Sequence, residues 1–461
     1  MNKNDVLLGK IEDLTVEGEG VAKVDGMPFF IKDTVIGDEV KFVVTKLKKN
    51  YGYGRALEII TPSSDRVEPV CAHYKRCGGC TLQTMSYDAE LRFKEKKVYN
   101  NLLRIGEVPA DILDEAMEPI LGCEKIYHYR NKAQFPFGTD KDGNPICGFY
   151  AQRSHEIIAN TDCALGMSIN KTILEAVLDF QKKCGVSSYD EKTGKGVIRH
   201  VLIRSSKDET EHMVCIVINV DELPKADVLV ERLSGIEGVA SISINVNKKN
   251  TNVILGDKTV TLWGKDTILD TIEGNDGTVL SFEISPQSFF QVNPTQTGKL
   301  YSIAQDYADL KGGEAVWDLY CGIGTISLFM AKKAGSVIGV EIVEKAIEDA
   351  KENAKRNGLS NTEFLVGKAE EIAPELLKRG DAAHPEVVVV DPPRKGCDEG
   401  CLSAILTANP ERVVYVSCDS ATLARDVKFL RANGYEIKRF RAVDQFSRGP
   451  HTEACVKLVR K

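Results

Sequence analysis

The stretch Asp318-Leu319-Tyr320-Cys321-Gly322-Ile323-Gly324-Thr325 reads as a strand that runs through a glycine-rich turn into a helix. Glycines at 322 and 324 let the backbone turn sharply and approach a ligand closely. The next apolar run, Ser336–Val340, ends in Glu341, an acid placed to accept hydrogen bonds from the two hydroxyls of a ribose. The dinucleotide spacing G-x-G-x-x-G is not completed, because Ser327 stands at its last position. That favours an adenosyl ligand without a pyrophosphate over NAD.

Outward from this loop, residues 285–461 alternate strands with helices, the pattern of a doubly wound parallel sheet. The readable strands are Ala315–Leu319, Ser336–Glu341, Glu363–Val366, Glu386–Val390, Arg412–Ser417, Tyr435–Ala442 and Ala454–Val459. Seven such strands suit an α/β, Rossmann-like methyltransferase sheet, whose ligands gather beyond the carboxyl ends of the strands. Three further motifs fall at that rim. Asp391-Pro392-Pro393-Arg394 follows the apolar run Val387–Val390, and its prolines force the chain out of the strand. Tyr415-Val416-Ser417-Cys418-Asp419 puts a thiol at a strand end facing the cleft, where Cys321, Cys397, Cys401 and Cys455 are its competitors. Pro450-His451-Thr452-Glu453 precedes the last strand. Taken singly, each has a plainer reading: a strand-ending turn, a packed cysteine, a solvated acid. Their coincidence on one rim favours chemistry.

Residues 1–60 read as a small β-barrel of the OB type, with short β-rich runs at Val6–Ile11, Gly20–Val24, Pro28–Ile31, Glu39–Thr45 and Gly54–Ile60. Lys41, Lys46, Lys48, Lys49 and Arg55 have no acid between them, and Tyr51 and Tyr53 sit among them. Cations interleaved with aromatics are how such barrels hold single-stranded nucleic acid; a hairpin edge kept soluble by lysine is the alternative. Residues 61–284 read as an α+β domain, with helices near Tyr87–Ile105 and Ile173–Lys183. Within it lies Cys71-x5-Cys77-Gly78-Gly79-Cys80, a trio that reads as a metal site lacking a fourth ligand. Zinc and an iron–sulfur cluster both accept four thiolates. A single C-x2-C arm leans toward the cluster, and Cys163, Cys123 and Cys147 are open as the fourth ligand.

The chain has 461 residues, a net charge of −7 and thirteen cysteines. That length asks for several domains, and the composition is that of a globular protein. No run of about 18 apolar residues offers a membrane span. The first residues lack the shape of a secretory signal, so a cytoplasmic protein with reduced thiols is expected.

From Phe289-Phe290-Gln291-Val292-Asn293 to the last strand, the order of motifs resembles the RNA (uracil-5-)-methyltransferase family. Residues 1–60, with Gly18-Glu19-Gly20 and Ile36-Gly37-Asp38, resemble the TRAM domain, an RNA-binding barrel appended to RNA-modifying enzymes. The resemblance implies that Gln291, Tyr320, Glu341 and Asp391 contact S-adenosylmethionine, with Cys418 as nucleophile and Glu453 as base. It also implies a [4Fe-4S] cluster on Cys71, Cys77, Cys80 and Cys163, and 23S ribosomal RNA as the substrate. A tRNA-directed enzyme of the same family is the closest alternative. The chemistry explains the residue types. Carbon 5 of uracil is too poor a nucleophile to take a methyl group from a sulfonium. A thiolate adding to carbon 6 makes carbon 5 nucleophilic, and a base then removes the proton left there. The target base must also leave its stack. A cytosine-5 methyltransferase would place its nucleophile in Thr-Cys beside Pro-Cys, and neither occurs. An adenine amino-methyltransferase would carry an aromatic where Arg394 stands. A binder without activity would form no covalent adduct with 5-fluorouridine RNA.

Overall fold

The computed structural model describes residues 1–380 and 384–461. Its N-terminal strands Val6–Leu14, Gly20–Val24, Met27–Ile31, Gly52–Thr61 and Glu39–Leu47 hydrogen-bond in that order into a closed barrel. Alternation turns Ile11, Ala22, Phe29, Ile31, Val40, Phe42 and Val44 inward. Gly52 and Gly54 are required there: a Cβ would lie 2.4 Å from the Phe29 ring and 2.5 Å from the Phe42 ring. Outside, Phe30, Tyr51 and Tyr53 pack with ring centroids 5.5–5.7 Å apart. Tyr53 lines a groove with Lys32, Lys46, Arg55, Lys75 and Arg153, so the far wall comes from outside the barrel.

A seven-stranded sheet spans the central region among the described residues, from Lys258–Gly264 at one edge to Ile157–Ala159 at the other. The helices Ile169–Cys184 and Ala226–Ser234 cover one face, with Phe180 of the first packing over Phe135, Ile203, Val214 and Ile216.

The catalytic sheet has eight strands among the described residues. Their order is Thr362–Val366, Ser336–Glu341, Ala315–Asp318, Val387–Val390, Arg412–Ser417, Glu453–Arg460, Tyr435–Val443 and Met117–Leu121. The first five are parallel, and Glu453–Arg460 runs against both neighbours. The seven strands expected from the pattern are all present. The eighth, Met117–Leu121, comes from far upstream and pairs parallel with Tyr435–Val443. Helix Tyr87–Arg104 also packs on this sheet. Ser86 caps it by accepting from Ala89 N–H, and Val98 and Leu102 join the core beside Leu423 and Val427. Burying each such side chain stabilises by ~1.5–3 kcal/mol.

The same helix buries an ion cluster. Lys94 is wholly buried; its ammonium donates to Glu90 at 2.8 Å, Asp444 at 2.6 Å and the Phe446 carbonyl at 3.0 Å. Arg448, at φ +68°, donates its N–H to Glu90, while Tyr87 donates its hydroxyl to Asp444. These bonds fix the loop that leads into His451 and Glu453. Lys94→Met leaves two buried carboxylates short of their cation. A loss of about 3–5 kcal/mol is expected, read as a lower denaturant midpoint at unchanged slope. Among the described residues, no helix is long and apolar enough to cross a membrane.

Candidate active site

Strand order reverses about Ala315–Asp318, whose end lies beside that of Val387–Val390 with Asp318 opposite Val389. Open α/β sheets take their ligands at such a point. Asp318 is fully buried. Its Oδ2 accepts from Ser327 Oγ at 2.6 Å, and its Oδ1 has no partner. Ser327, which interrupts the dinucleotide spacing, thus ties the helix Thr325–Ala331 to the strand before it. Gly322 and Gly324 have φ of +53° and +85°. A Cβ on Gly322 would meet nothing within 4 Å, so the outer side of the turn is open. Glu341 ends its strand, with Oε2 accepting from Gly322 N–H at 3.3 Å and Oε1 from Val343 N–H at 3.0 Å. Just beyond it, Ile342 and Val343 are exposed.

Across the cleft, Cys418 follows the strand Arg412–Ser417 and is partly exposed, whereas Cys321, Cys397, Cys401 and Cys455 are buried. Asp419 accepts from Ala421 and Thr422 N–H groups and so caps the helix Ser420–Ala432. Thr422 Oγ1 donates to the Arg394 carbonyl at 3.1 Å, holding the Asp-Pro-Pro-Arg turn against the cysteine loop. Glu453 enters the same rim because Ala454 pairs with Ser417.

The electrostatics follow from this gathering. Burial pushes the Cys418 thiol up to about 11, the carboxylates of Glu453 and Asp391 add to the rise, and the Arg394 guanidinium opposes it. Burial, with Asp318 adding, lifts Asp391 to about 7. Glu453, 3% exposed, is lifted to about 8 by burial and by Asp391, against Arg394. Burial and the cations Arg394 and Lys97 lower His451. A thiol, two carboxyls that titrate near neutrality and one guanidinium therefore share one cleft. Such a set can move a proton off sulfur or carbon.

Gln291 and Tyr320 sit differently. Gln291 lies beside the buried Tyr301, on whose hydroxyl Asp391, Thr325 and Glu453 also act. Tyr320 turns to Cys401 and Cys397, and burial with those thiols pushes its hydroxyl upward. Two residues of the rim escaped the sequence reading. Arg394 had a signal, its place in the Asp-Pro-Pro-Arg motif, but was given no role of its own in the chemistry. Tyr301 had none, since a tyrosine inside the helix Pro294–Ala308 reads as core.

The trio Cys71, Cys77 and Cys80 is brought to Cys163. Burial pushes Cys80 up to about 12, and the other three thiols each add to the rise; Cys163 likewise feels Cys77 and Cys71. Cys123 and Cys147 are engaged elsewhere: the first donates to the Asp444 carbonyl, and the second packs in the central core. Among the described residues, no group of three or more His, Cys, Asp or Glu is arranged to hold a metal ion, so the expected metal site is not shown.

A mostly parallel sheet with this rim defines a Rossmann-like methyltransferase, and comparison with known proteins narrows the class. The family profile described as tRNA (Uracil-5-)-methyltransferase matches residues 247–461, and that of the TRAM domain matches residues 5–57. A protein of Halalkalibacterium halodurans named as an uncharacterized RNA methyltransferase is 48% identical over 100% of this chain and 98% of its own length. One of Clostridium tetani with the same description is 45% identical over 99% of this chain and 97% of its own. The chain belongs to the RNA (uracil-5-)-methyltransferase family and carries a TRAM domain. Among solved structures, the tRNA (uracil-54, C5)-methyltransferase of Pyrococcus abyssi, in complex with S-adenosyl-L-homocysteine, superposes with a TM-score of 0.77. The two are 28% identical, over 98% of this chain and 100% of that one.

Proposed function

We propose that this protein methylates carbon 5 of uridine in 23S ribosomal RNA, through covalent addition of Cys418 to carbon 6. The observation that carries the reading is the meeting of a partly exposed thiol, a buried carboxyl at about 8 and a guanidinium on one rim. S-Adenosylmethionine, when bound, supplies the methyl group. The residues present suit it: Glu341 for the ribose hydroxyls, and the exposed Ile342 and Val343 for a flat apolar ring. The open side of Gly322, the unpartnered Asp318 oxygen, Asp391, Gln291 and Tyr320 form the remaining cradle. Arg394 favours the thiolate of Cys418, which is the attacking form. Glu453 takes the proton from carbon 5, allowing the sulfur to leave.

The substrate choice rests on the four converging cysteines together with the barrel. Cys71, Cys77, Cys80 and Cys163 would hold a [4Fe-4S] cluster. Burial and the neighbouring thiols oppose ionisation of Cys77, Cys80 and Cys163, and thiols so placed fit a positively charged inorganic partner. The groove around Tyr53, Lys46 and Arg55 suits a single-stranded RNA segment, and the protein works with its RNA in the cytoplasm. A tRNA substrate is the second reading, favoured by the likeness to the Pyrococcus abyssi enzyme.

Tritium release from carbon 5 of labelled uridine, followed on 23S RNA and tRNA transcripts separately, tests the function. Release from 23S RNA is expected; release mainly from tRNA would transfer the reading to the second substrate. Anaerobically purified protein is expected to contain iron and sulfide, about four of each per chain for a cubane cluster. Stoichiometric zinc without sulfide would remove the cluster.

A further inference from the structure

One face of the central sheet carries cations with no role in the chemistry above. Arg204 and Lys132 stand opposite each other on neighbouring antiparallel strands, and Arg130 donates its Nε to the Lys132 carbonyl at 3.2 Å. Like charges placed directly opposite destabilise a sheet. Arg204 is 3% exposed; one of its terminal nitrogens donates to the Ser288 carbonyl, while its Nε has no partner. The acid acting on Arg204 is Asp270, whose oxygens already accept from Asn131 Nδ2 and from the N–H groups of Lys207 and Thr271. Burial and the two arginines pull the Lys132 ammonium down to about 7. No carboxylate pairs with it among the described residues. Three cations kept together at such a cost suit a ligand that is itself an anion.

Their place says which anion. Asn131, between Arg130 and Lys132, donates its N–H to the Val292 carbonyl at 2.9 Å, next to Gln291. The segment that receives Arg204 at Ser288 continues into Phe289, which is 75% exposed. A cationic seat next to an exposed ring is the combination that holds a nucleotide by phosphate and base together. We propose that Lys132, Arg130 and the free edge of Arg204 seat an RNA phosphodiester adjoining the uridine to be methylated, with Phe289 stacking on a neighbouring base. This site rests on the reading that the substrate is RNA. Closing onto it, the phosphate accepts charge-assisted hydrogen bonds and relieves the repulsion between Lys132 and Arg204.

Lys132→Gln tests the seat, because it removes an ammonium that no carboxylate pairs with among the described residues. Binding of 23S RNA and tRNA transcripts is measured across a potassium chloride series for the parent, Lys132→Gln and Lys132→Arg. Losing one phosphate contact lowers the slope of log affinity against log salt by about 0.7 for a single strand. The parent therefore loses about two- to threefold more affinity than Lys132→Gln between roughly 50 and 200 mM salt. Lys132→Arg keeps the parental slope, and Phe289→Ala weakens binding without changing it. An unchanged slope in Lys132→Gln, or an equal loss of affinity at every salt concentration, overturns the seat. Tritium release by the parent is scored separately. A shifted slope without release keeps the seat and fails the methylation reading, while release with an unchanged slope fails the seat alone.

Discussion

Cys418→Ala is expected to lose at least about 10⁴-fold in methylation rate and to form no covalent adduct with 5-fluorouridine RNA. The argument is one of access as much as reactivity. Of the five thiols near the sheet rim, Cys321 and Cys455 are buried and held well above their ordinary range by burial and neighbouring acids. Cys397 and Cys401 are buried under Tyr320. Cys418 is partly open, and Arg394 is the cation that acts on it. Binding of RNA and of S-adenosylmethionine should survive the change, since the Asp419 cap and the Gly322 turn are untouched. An adduct that persists in Cys418→Ala would move the nucleophile to another thiol.

Glu453→Gln has a different signature. Addition to carbon 6 needs only the thiolate, so the covalent complex forms; release needs the proton removed from carbon 5, so the complex accumulates on ordinary RNA. Turnover is expected to fall about 10²- to 10⁴-fold, the usual worth of a positioned base. A denaturing gel separates the two variants: a slowly migrating protein–RNA species for Glu453→Gln, none for Cys418→Ala. The pH dependence has a definite sign. Only the ionised carboxyl accepts a proton, and Glu453 is lifted to about 8 by burial first. About a tenth of it is ionised at pH 7, so breakdown of the covalent complex should speed up with rising pH and level off above about 8. A breakdown rate independent of pH between 6 and 9 would assign the proton to another group.

The rim was legible in the sequence because strand ends, glycines and prolines are local signals. Gly322, Glu341, Asp391 and Cys418 each close an apolar run, and one rule about parallel sheets puts such ends on the same side. What was not legible is held by distant partners. Nothing local in its helix marks Lys94 as buried; it is buried because Asp444, 350 positions later, meets it. Tyr301 reads as helix core and is core, but its hydroxyl lies among Gln291, Asp391 and Glu453. The strand Met117–Leu121 is short and carries Pro119, so only its pairing with Tyr435–Val443 identifies it. Lys132 and Arg204 are unremarkable in their own strands and become a pair only by register.

That borrowed strand also bears on how the protein is made. Met117 pairs beside Phe440, so the sheet that carries the reaction cannot be finished until almost the whole chain has left the ribosome. The central sheet, Lys132–Thr139 through Lys258–Gly264, is synthesised in between and has its own core to fold around. Meanwhile Met117–Leu121 waits as an unpaired edge, a form prone to wrong partners. Contacts so far apart in sequence form slowly. A premature stop ahead of residue 435 therefore does more than trim a terminus: it leaves Met117–Leu121 without the strand on which it comes to rest.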